Sequence, residues 1–212
     1  MSECPLCSAP AHPYHRDKRR TYSLCPHCSG IFTDPDFLPV PQIETKRYFK
    51  HQNHPDDPGY RASVLPLVHE ILKRQSPVQK GLDYGAGPDS AVAAILAESG
   101  FELKLFDPLF HPHSALRNQA FDFVVCCEVA EHFHAPRYEF ERLRDLLKPG
   151  GKLYLKTALF DAQPMPFAEW YYKNDFTHVF FYSRPTLEYI AAKFDFLEVT
   201  VIGNIAIFTA ID

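Results

Sequence analysis

The stretch Leu82-Asp83-Tyr84-Gly85-Ala86-Gly87 constrains this chain more than any other. It is a D-x-G-x-G turn, entered from the apolar run Gly81–Tyr84 and left into an alanine-rich helix over about Ser90–Ser99, with Asp89 expected as its N-cap. Gly85 and Gly87 let the backbone pass close to a ligand without Cβ interference, and the helix start behind them offers unpaired N–H groups. Asp83 adds a carboxylate, which suits a cationic or hydroxyl-rich ligand better than a bare pyrophosphate. A glycine-rich turn alone is weak evidence, so the sequence around it decides.

Asp107 stands twenty residues beyond Gly87, at the end of the strand-like run Phe101–Phe106. An acid at the C-terminal end of a second parallel strand is placed to bind a ribose diol. Phe121–Cys127 reads as a further buried strand ending in Glu128, followed by a helix over about Arg137–Lys148. Leu147-Lys148-Pro149-Gly150-Gly151 closes that helix and leads into a strand at 152–157. Taken in order, these motifs resemble the class I S-adenosylmethionine-dependent methyltransferases. They are most similar to the small bacterial members grouped with the ubiquinone-type methylases, the methyltransferase-23 group, over roughly residues 60–212. The resemblance implies a Rossmann-like, doubly wound α/β sheet and S-adenosylmethionine as cosubstrate. It assigns the cofactor to Asp83, Tyr84, Gly85, Ala86, Gly87, Asp107, Pro108 and Glu128. The nicotinamide dehydrogenase alternative fits less well, because Ser90 stands where that fingerprint needs its third glycine.

One spacing departs from the family. Only 14 residues separate Asp107 from Asp122, too few for a helix, a strand and an adenine-contacting loop. A reduced strand 3 region is therefore expected, with adenine contacted elsewhere, at Leu109, Phe110 or around 118–120.

Glu128-Val129-Ala130-Glu131-His132 is similar to the E-x-x-E-H pattern of ubiquinone-pathway O-methyltransferases. That resemblance implies a divalent cation such as Mg2+ at Glu128, Glu131 and His132, where it would lower the pKa of a phenolic acceptor. Without metal, His132 is the general base, since its ordinary pKa lies near working pH. The opposing reading makes Glu131 a packing acid and His132 a structural histidine. After the 152–157 strand, Trp170-Tyr171-Tyr172-Lys173-Asn174-Asp175-Phe176-Thr177-His178 interleaves aromatics with polar groups. Trp170, Tyr171, Asp175, His178 and Tyr182 are expected to contact a flat or sugar-like acceptor, with His178 the rival base and Glu131 a third catalytic candidate. Dense aromatics also make cores, and Phe180 and Phe181 are read that way.

Cys4-Pro5-Leu6-Cys7 and Cys25-Pro26-His27-Cys28 form paired C-x2-C knuckles with 17 residues between the inner cysteines. This spacing matches a four-thiolate structural Zn2+ site and predicts a zinc ribbon over residues 1–33. Residues 34–60 carry five prolines and a short helical piece near 44–50, and read as a connector, either surface turns or a lid. The run His51-Gln52-Asn53-His54 belongs to it. Residues 61–212 form the methyltransferase-like domain, opened by an amphipathic helix over Arg61–Arg74. Ser183 is expected to cap a helix to Phe194, with Pro185 in its first turn. Gly203-Asn204 predicts a tight hairpin between strands at 196–202 and 205–211, giving an antiparallel edge.

The formal net charge is −4, so no global field draws in nucleic acid or an anionic membrane. Arg16-Asp17-Lys18-Arg19-Arg20 is a local basic run, read as a solvated loop face or as a contact to substrate or RNA. No apolar stretch approaches the roughly 20 residues that span a bilayer. The polar N-terminus does not read as a signal peptide, so a cytoplasmic location is expected. The expected activity is O- or N-methylation of a small-molecule acceptor by in-line transfer. An RNA- or protein-directed methyltransferase and a non-enzymatic binding module are the alternatives. Monomer and homodimer both remain open.

Overall fold

The computed structural model describes residues 2–50, 54–112, 116, 119–162 and 165–211. The N-terminal strands are β1 (His12–Arg16), β2 (Thr21–Leu24) and β3 (Ile31–Thr33), followed by α1 (Pro41–Tyr48) and α2 (Pro58–Leu72). The central part runs β4 (Gly81–Tyr84), α3 (Ala91–Ala97), β5 (Leu103–Phe106), β6 (Phe121–Cys127), α4 (Pro136–Asp145) and β7 (Leu147–Lys156). It ends with β8 (Phe180–Phe181), α5 (Arg184–Lys193), β9 (Phe196–Ile202) and β10 (Ile205–Ala210).

Six strands form the main sheet in the order β5-β4-β6-β7-β10-β9. The first four are parallel, and β10 runs antiparallel to both β7 and β9. The doubly wound sheet with an antiparallel hairpin edge is therefore the observed fold. Gly203, at φ +60°, makes the turn between β9 and β10. No strand lies between Phe106 and Phe121 among the described residues, as the short 108–121 spacing predicts. Helices α2 and α3 bury one face of the sheet through Val64, Leu67, Ile71, Val92 and Leu96. Helices α4 and α5 bury the other through Phe140, Leu143, Leu187 and Ile190.

Some local boundaries differ from expectation; α1, for one, spans Pro41–Tyr48 and not 44–50. The N-cap of α3 is Ser90, whose hydroxyl accepts from Ala93 N at 2.9 Å, and not Asp89. α2 starts at Pro58, three residues before the expected Arg61, because Asp57 caps it by accepting from Tyr60 N at 2.6 Å. α4 stops at Asp145, and Leu147-Lys148-Pro149-Gly150-Gly151 already belongs to β7, where Leu147 pairs with Phe121. Gly150 at φ +67° allows that bend, and a Cβ on Gly151 would lie 2.9 Å from Lys148 O. By contrast α5 has the expected cap: Ser183 accepts from Thr186 N, with Pro185 in the first turn.

The N-terminal strands do not stand apart. A second sheet runs β1-β2-β3-β8, so β3 pairs with a strand from the far side of the chain, Ile31 with Phe181 and Phe32 with Phe180. Cys4, Leu6, Cys25, Cys28 and Phe32 share one buried cluster with Phe140, Leu187 and Phe208. This seam supplies apolar burial that so short a ribbon lacks alone. It is also tight, since a Cβ on Gly30 would lie 2.5 Å from Phe180 Cζ, inside a fully buried ring. Gly30→Ala should lower unfolding stability by about 1–3 kcal/mol through overpacking, read by urea denaturation. An unchanged midpoint would mean that the ribbon is not held against β8.

Candidate active site

In an open parallel sheet the ligand crevice lies where successive connections leave on opposite faces, outside the strand C-termini. Here that point is the boundary between β4 and β6, and a cavity of about 450 Å³ opens there. The turn after β4 forms its floor. Gly85 has φ +81°, and a Cβ there would lie 2.6 Å from Val129 Cγ2 in the turn after β6. Gly87 has φ +67°, and nothing lies within 4 Å of where its Cβ would be, so its backbone borders open space. Gly85 N and Ala86 N donate to Phe106 O at 2.8 and 3.1 Å, tying the turn to the end of β5. Asp107 Oδ2 accepts from Gly87 N at 3.0 Å, while its Oδ1 accepts from Leu109 N and Phe110 N at 2.8 and 3.1 Å. One carboxylate thus fixes the glycine turn and the loop after β5.

Asp83, expected to contact the cofactor, lies beneath this turn and does not line the cavity. It is 3% exposed and hydrogen-bonded by the Ser90 hydroxyl. Burial pushes its pKa up to about 6, with the Ser90 hydrogen bond opposing and the Asp107 charge adding to the rise.

Six aromatic side chains line the cavity walls: Tyr48, Tyr60, Tyr84, Phe106, Phe110 and Phe133. Arg142 lies over Phe106, 4.7 Å from the ring centre, and Tyr84 donates to Glu139 at 2.5 Å. Tyr48 comes from α1, in the connector, and its ring is 5.5 Å from that of His132. Glu44 of α1 meets His134 at 2.9 Å, and Arg47 meets Asp175 at 2.7 Å. Asp175 is thereby held well below the ordinary carboxylate range by Thr177 and Arg47, although burial opposes this. From the connector, Tyr48 and Tyr60 line the cavity, and His51, Gln52 and Asn53 lie outside the described residues.

Behind the cavity, the residues after β6 meet those after β7. Glu128 sits at φ +54°, a strained position for a residue with a Cβ, and lines the cavity. Lys156 pairs with Glu128 Oε1, and Tyr172 OH donates to Glu128 Oε2 at 3.0 Å. Glu131 is 1% exposed, with Tyr172 OH at 2.5 Å on one oxygen and Thr157 Oγ1 at 3.0 Å on the other. Burial, and next the Glu128 charge, push its pKa up to about 8. His132 Nδ1 bonds Thr177 O at 2.9 Å, and His178 Nδ1 bonds Tyr172 O at 2.7 Å. A carbonyl can only accept, so each neutral ring carries its proton on Nδ1 and its lone pair on Nε2. The two rings lie 4.8 Å apart, and Glu131, His132 and His178 bring ligand-capable atoms within 4.8 Å of one another. Burial lowers the pKa of His178, with Asp175 opposing.

The four ribbon cysteines also converge, their sulfurs all within 4.8 Å, with Cys4–Cys28 at 3.6 Å and Cys7–Cys25 at 3.3 Å.

A family model described as "Methyltransferase domain" matches residues 49–201. The chain belongs to this methyltransferase-domain family. Two curated relatives are named ubiquinone biosynthesis O-methyltransferase. The one from Cronobacter sakazakii (strain ATCC BAA-894) is 33% identical over 91 residues, covering 43% of this chain and 37% of the relative. The one from Salmonella enteritidis PT4 is 30% identical over 91 residues, covering 43% and 38%. The match thus spans under two fifths of those relatives' length. Among solved structures, the fold is shared with a Burkholderia thailandensis 1,6-didemethyltoxoflavin-N1-methyltransferase holding S-adenosylhomocysteine, at TM-score 0.57 and 16% identity over 95% of this chain and 100% of that one. It is shared too with human N-acetylserotonin methyltransferase in complex with SAM, at TM-score 0.58 and 12% identity over 82% and 61%.

Within this methyltransferase domain, Tyr84, Gly85, Ala86, Gly87, Asp107, Pro108, Glu128 and His132 border the cavity. Several residues expected at the acceptor do not. Trp170 is 1% exposed and stacks on Tyr172 inside a cluster with Tyr22 and Phe181. Tyr182 is fully buried and donates to Ala130 O at 3.0 Å, while Tyr171 is 71% exposed. Of the adenine candidates, Leu109 and Phe110 line the cavity, Gln119 and Ala120 are exposed outside its lining, and Asn118 lies outside the described residues. The sequence reading missed Tyr48, Tyr60, Arg142 and Lys156 as site residues. Each is a single side chain on a helix or strand end whose partner is remote in the chain, so no local pattern announces it.

Asp83 generates a test. Its folded pKa exceeds its unfolded one, so its contribution to stability is fully present below about pH 4 and is lost as pH rises through about 6. Over that window the loss is roughly 3 kcal/mol for a two-unit shift. Asp83→Asn should flatten that part of the stability–pH profile and leave the ligand-free protein at neutral pH as stable as the parent, or more so. Urea titrations at stepped pH measure this, and an unchanged slope would show that Asp83 is not a buried, desolvated acid.

Proposed function

We propose that this protein is an S-adenosylmethionine-dependent methyltransferase that modifies a small-molecule acceptor at oxygen or nitrogen. The observation that carries the reading is Gly87 facing open space beside the Asp107 carboxylate, in a largely apolar cavity. Backbone along Gly85–Gly87 and the Glu128 side chain would hold the amino-acid end of the cofactor, and Asp107 the ribose diol. Phe106, Phe110 and Arg142 offer the flat apolar slot for adenine that the missing strand 3 region cannot supply. When bound, S-adenosylmethionine supplies an activated sulfonium methyl group for in-line displacement. The protein's own work is then alignment, exclusion of water and handling of the acceptor proton. Tyr48 and Tyr60 close the cavity from the connector side. His132, which borders the cavity with its lone pair on Nε2, is the general base. His178 and Glu131 pack behind it, and Tyr172 joins Glu131 to Glu128.

The same three groups bear on the divalent cation implied by the E-x-x-E-H resemblance. Glu128 is engaged by Lys156, so His178 and not Glu128 completes the set with Glu131 and His132. Two imidazoles and one carboxylate suit a borderline ion such as Zn2+ or Fe2+ better than Mg2+, which favours oxygen ligands. For the ribbon, four thiolates on a tetrahedral zinc lie about 3.8 Å apart, given Zn–S near 2.3 Å. The contacts of 3.3 and 3.6 Å fit Zn2+ at Cys4, Cys7, Cys25 and Cys28 with little movement. Thiolate ligands need a reducing compartment, which supports a cytoplasmic location. No helix among the described residues is long and apolar enough to cross a membrane. For the RNA-directed alternative, Arg20 turns inward and is 6% exposed, while Arg16, Lys18 and Arg19 stay on the surface.

Calorimetric titration with S-adenosylhomocysteine tests the proposal. The parent protein should bind in the micromolar range, and Asp107→Ala should weaken binding at least 100-fold, about 2.7 kcal/mol. Equal affinity in the two proteins would remove Asp107 from the site and defeat the assignment.

A further inference from the structure

Arg20 belongs to the sequence's basic run, yet its guanidinium is buried and none of its partners is a carboxylate. Nε donates to Tyr22 OH at 3.1 Å. Nη1 donates to Phe176 O at 3.0 Å and His178 O at 2.8 Å. Nη2 donates to Asp175 O at 2.9 Å and also to Lys173 O. A guanidinium has five N–H donors, so this set uses all of them. Four acceptors are consecutive or near-consecutive carbonyls of one loop, the segment between the β7 exit and β8.

Two other carbonyls of this segment receive the active-site histidines: Tyr172 O receives His178 Nδ1, and Thr177 O receives His132 Nδ1. Carbonyls at 173, 175, 176 and 178 therefore face the ribbon, while those at 172 and 177 face the catalytic cluster. A loop this short, with no regular ladder, needs an outside donor set to hold so many oriented peptide groups. Arg20 is that donor set, and β2 and β3 anchor it: Tyr22 from β2, and Thr33 of β3 with its Oγ1 at 3.5 Å from Nη1.

We propose that Arg20 is a positioning residue for the acceptor side of the site: the ribbon serves as a template that folds the 173–178 loop and so fixes the tautomer and orientation of His132 and His178. The inference rests on reading these two histidines as acceptor-side groups. It gives the zinc ribbon an intramolecular task in place of gripping a macromolecule. Arg20 touches none of the groups assigned to the cofactor, the turn after β4, Asp107 and Glu128.

The test uses the full-length, zinc-loaded chain labelled with 15N, near pH 8, where ordinary imidazoles are neutral. Long-range 1H–15N spectra report which ring nitrogen carries the proton, with His132→Asn and His178→Asn supplying the assignments. In the parent protein both rings should be in the Nδ1–H form. In Arg20→Met both should move toward the Nε2–H form that free histidine prefers, while zinc content stays as in the parent and S-adenosylhomocysteine affinity stays within about twofold. Arg20→Lys, which keeps the charge with three donors, should restore the Nδ1–H signals in part. Unchanged imidazole signals in folded Arg20→Met would overturn the proposal. If Arg20→Met does not fold, Arg20→Lys decides: a partial tautomer shift supports the proposal, and parent-like rings overturn it. Failure of the parent protein itself to bind S-adenosylhomocysteine would instead strike the proposed function and leave the tautomer result standing.

Discussion

The contact between Gly85 and Val129 is the constraint on which the site depends. It brings the turn after β4 against the turn after β6, and only a residue without a Cβ fits between them. Because the two turns touch, the groups suited to a cofactor and those suited to an acceptor border one cavity. Glu128 lies at the junction, held in the left-handed region with its amide on Lys156 O at 2.8 Å. Such strain persists where the surroundings over-determine it, and it clusters at functional sites. Here Val129 from one side and Lys156 from the other leave that turn little freedom.

A second theme is charge kept out of water. Glu131, Glu128, Lys156 and Tyr172 form one chain of contacts in which a single ammonium faces two carboxyl groups. Burial, and next the charge of the partly exposed Glu128, make the deeper acid, Glu131, hold its proton more tightly. Asp83 follows the same logic under the glycine turn. Neither acid is the choice a chain selected for stability alone would make, and both lie within the site's supporting layer.

What the sequence makes legible is local. The Asp83–Gly87 turn, the acid at the end of β5, the Ser183 cap of α5 and the Gly203-Asn204 hairpin all depend on residues a few positions apart. The missing strand is legible for the same reason, since chain length between Asp107 and Asp122 bounds what fits. The corrected features are long-range. Trp170 and Tyr182 resemble a pocket wall in composition, but which side of a loop an aromatic faces depends on packing partners over a hundred residues away, such as Tyr22 for Trp170. Arg20 sits among surface charges and turns inward only because β3 pairs with β8. Tyr48 gives no periodic signal and reaches the cavity only through the placement of α1.

The most direct measurement is a crystal structure of the protein with S-adenosylhomocysteine. The account predicts the nucleoside in the cavity between the turns after β4 and β6, its ribose hydroxyls on Asp107 and its sulfur directed toward the face bordered by His132. A nucleoside lodged elsewhere, or a cavity still empty at saturating ligand, would contradict it.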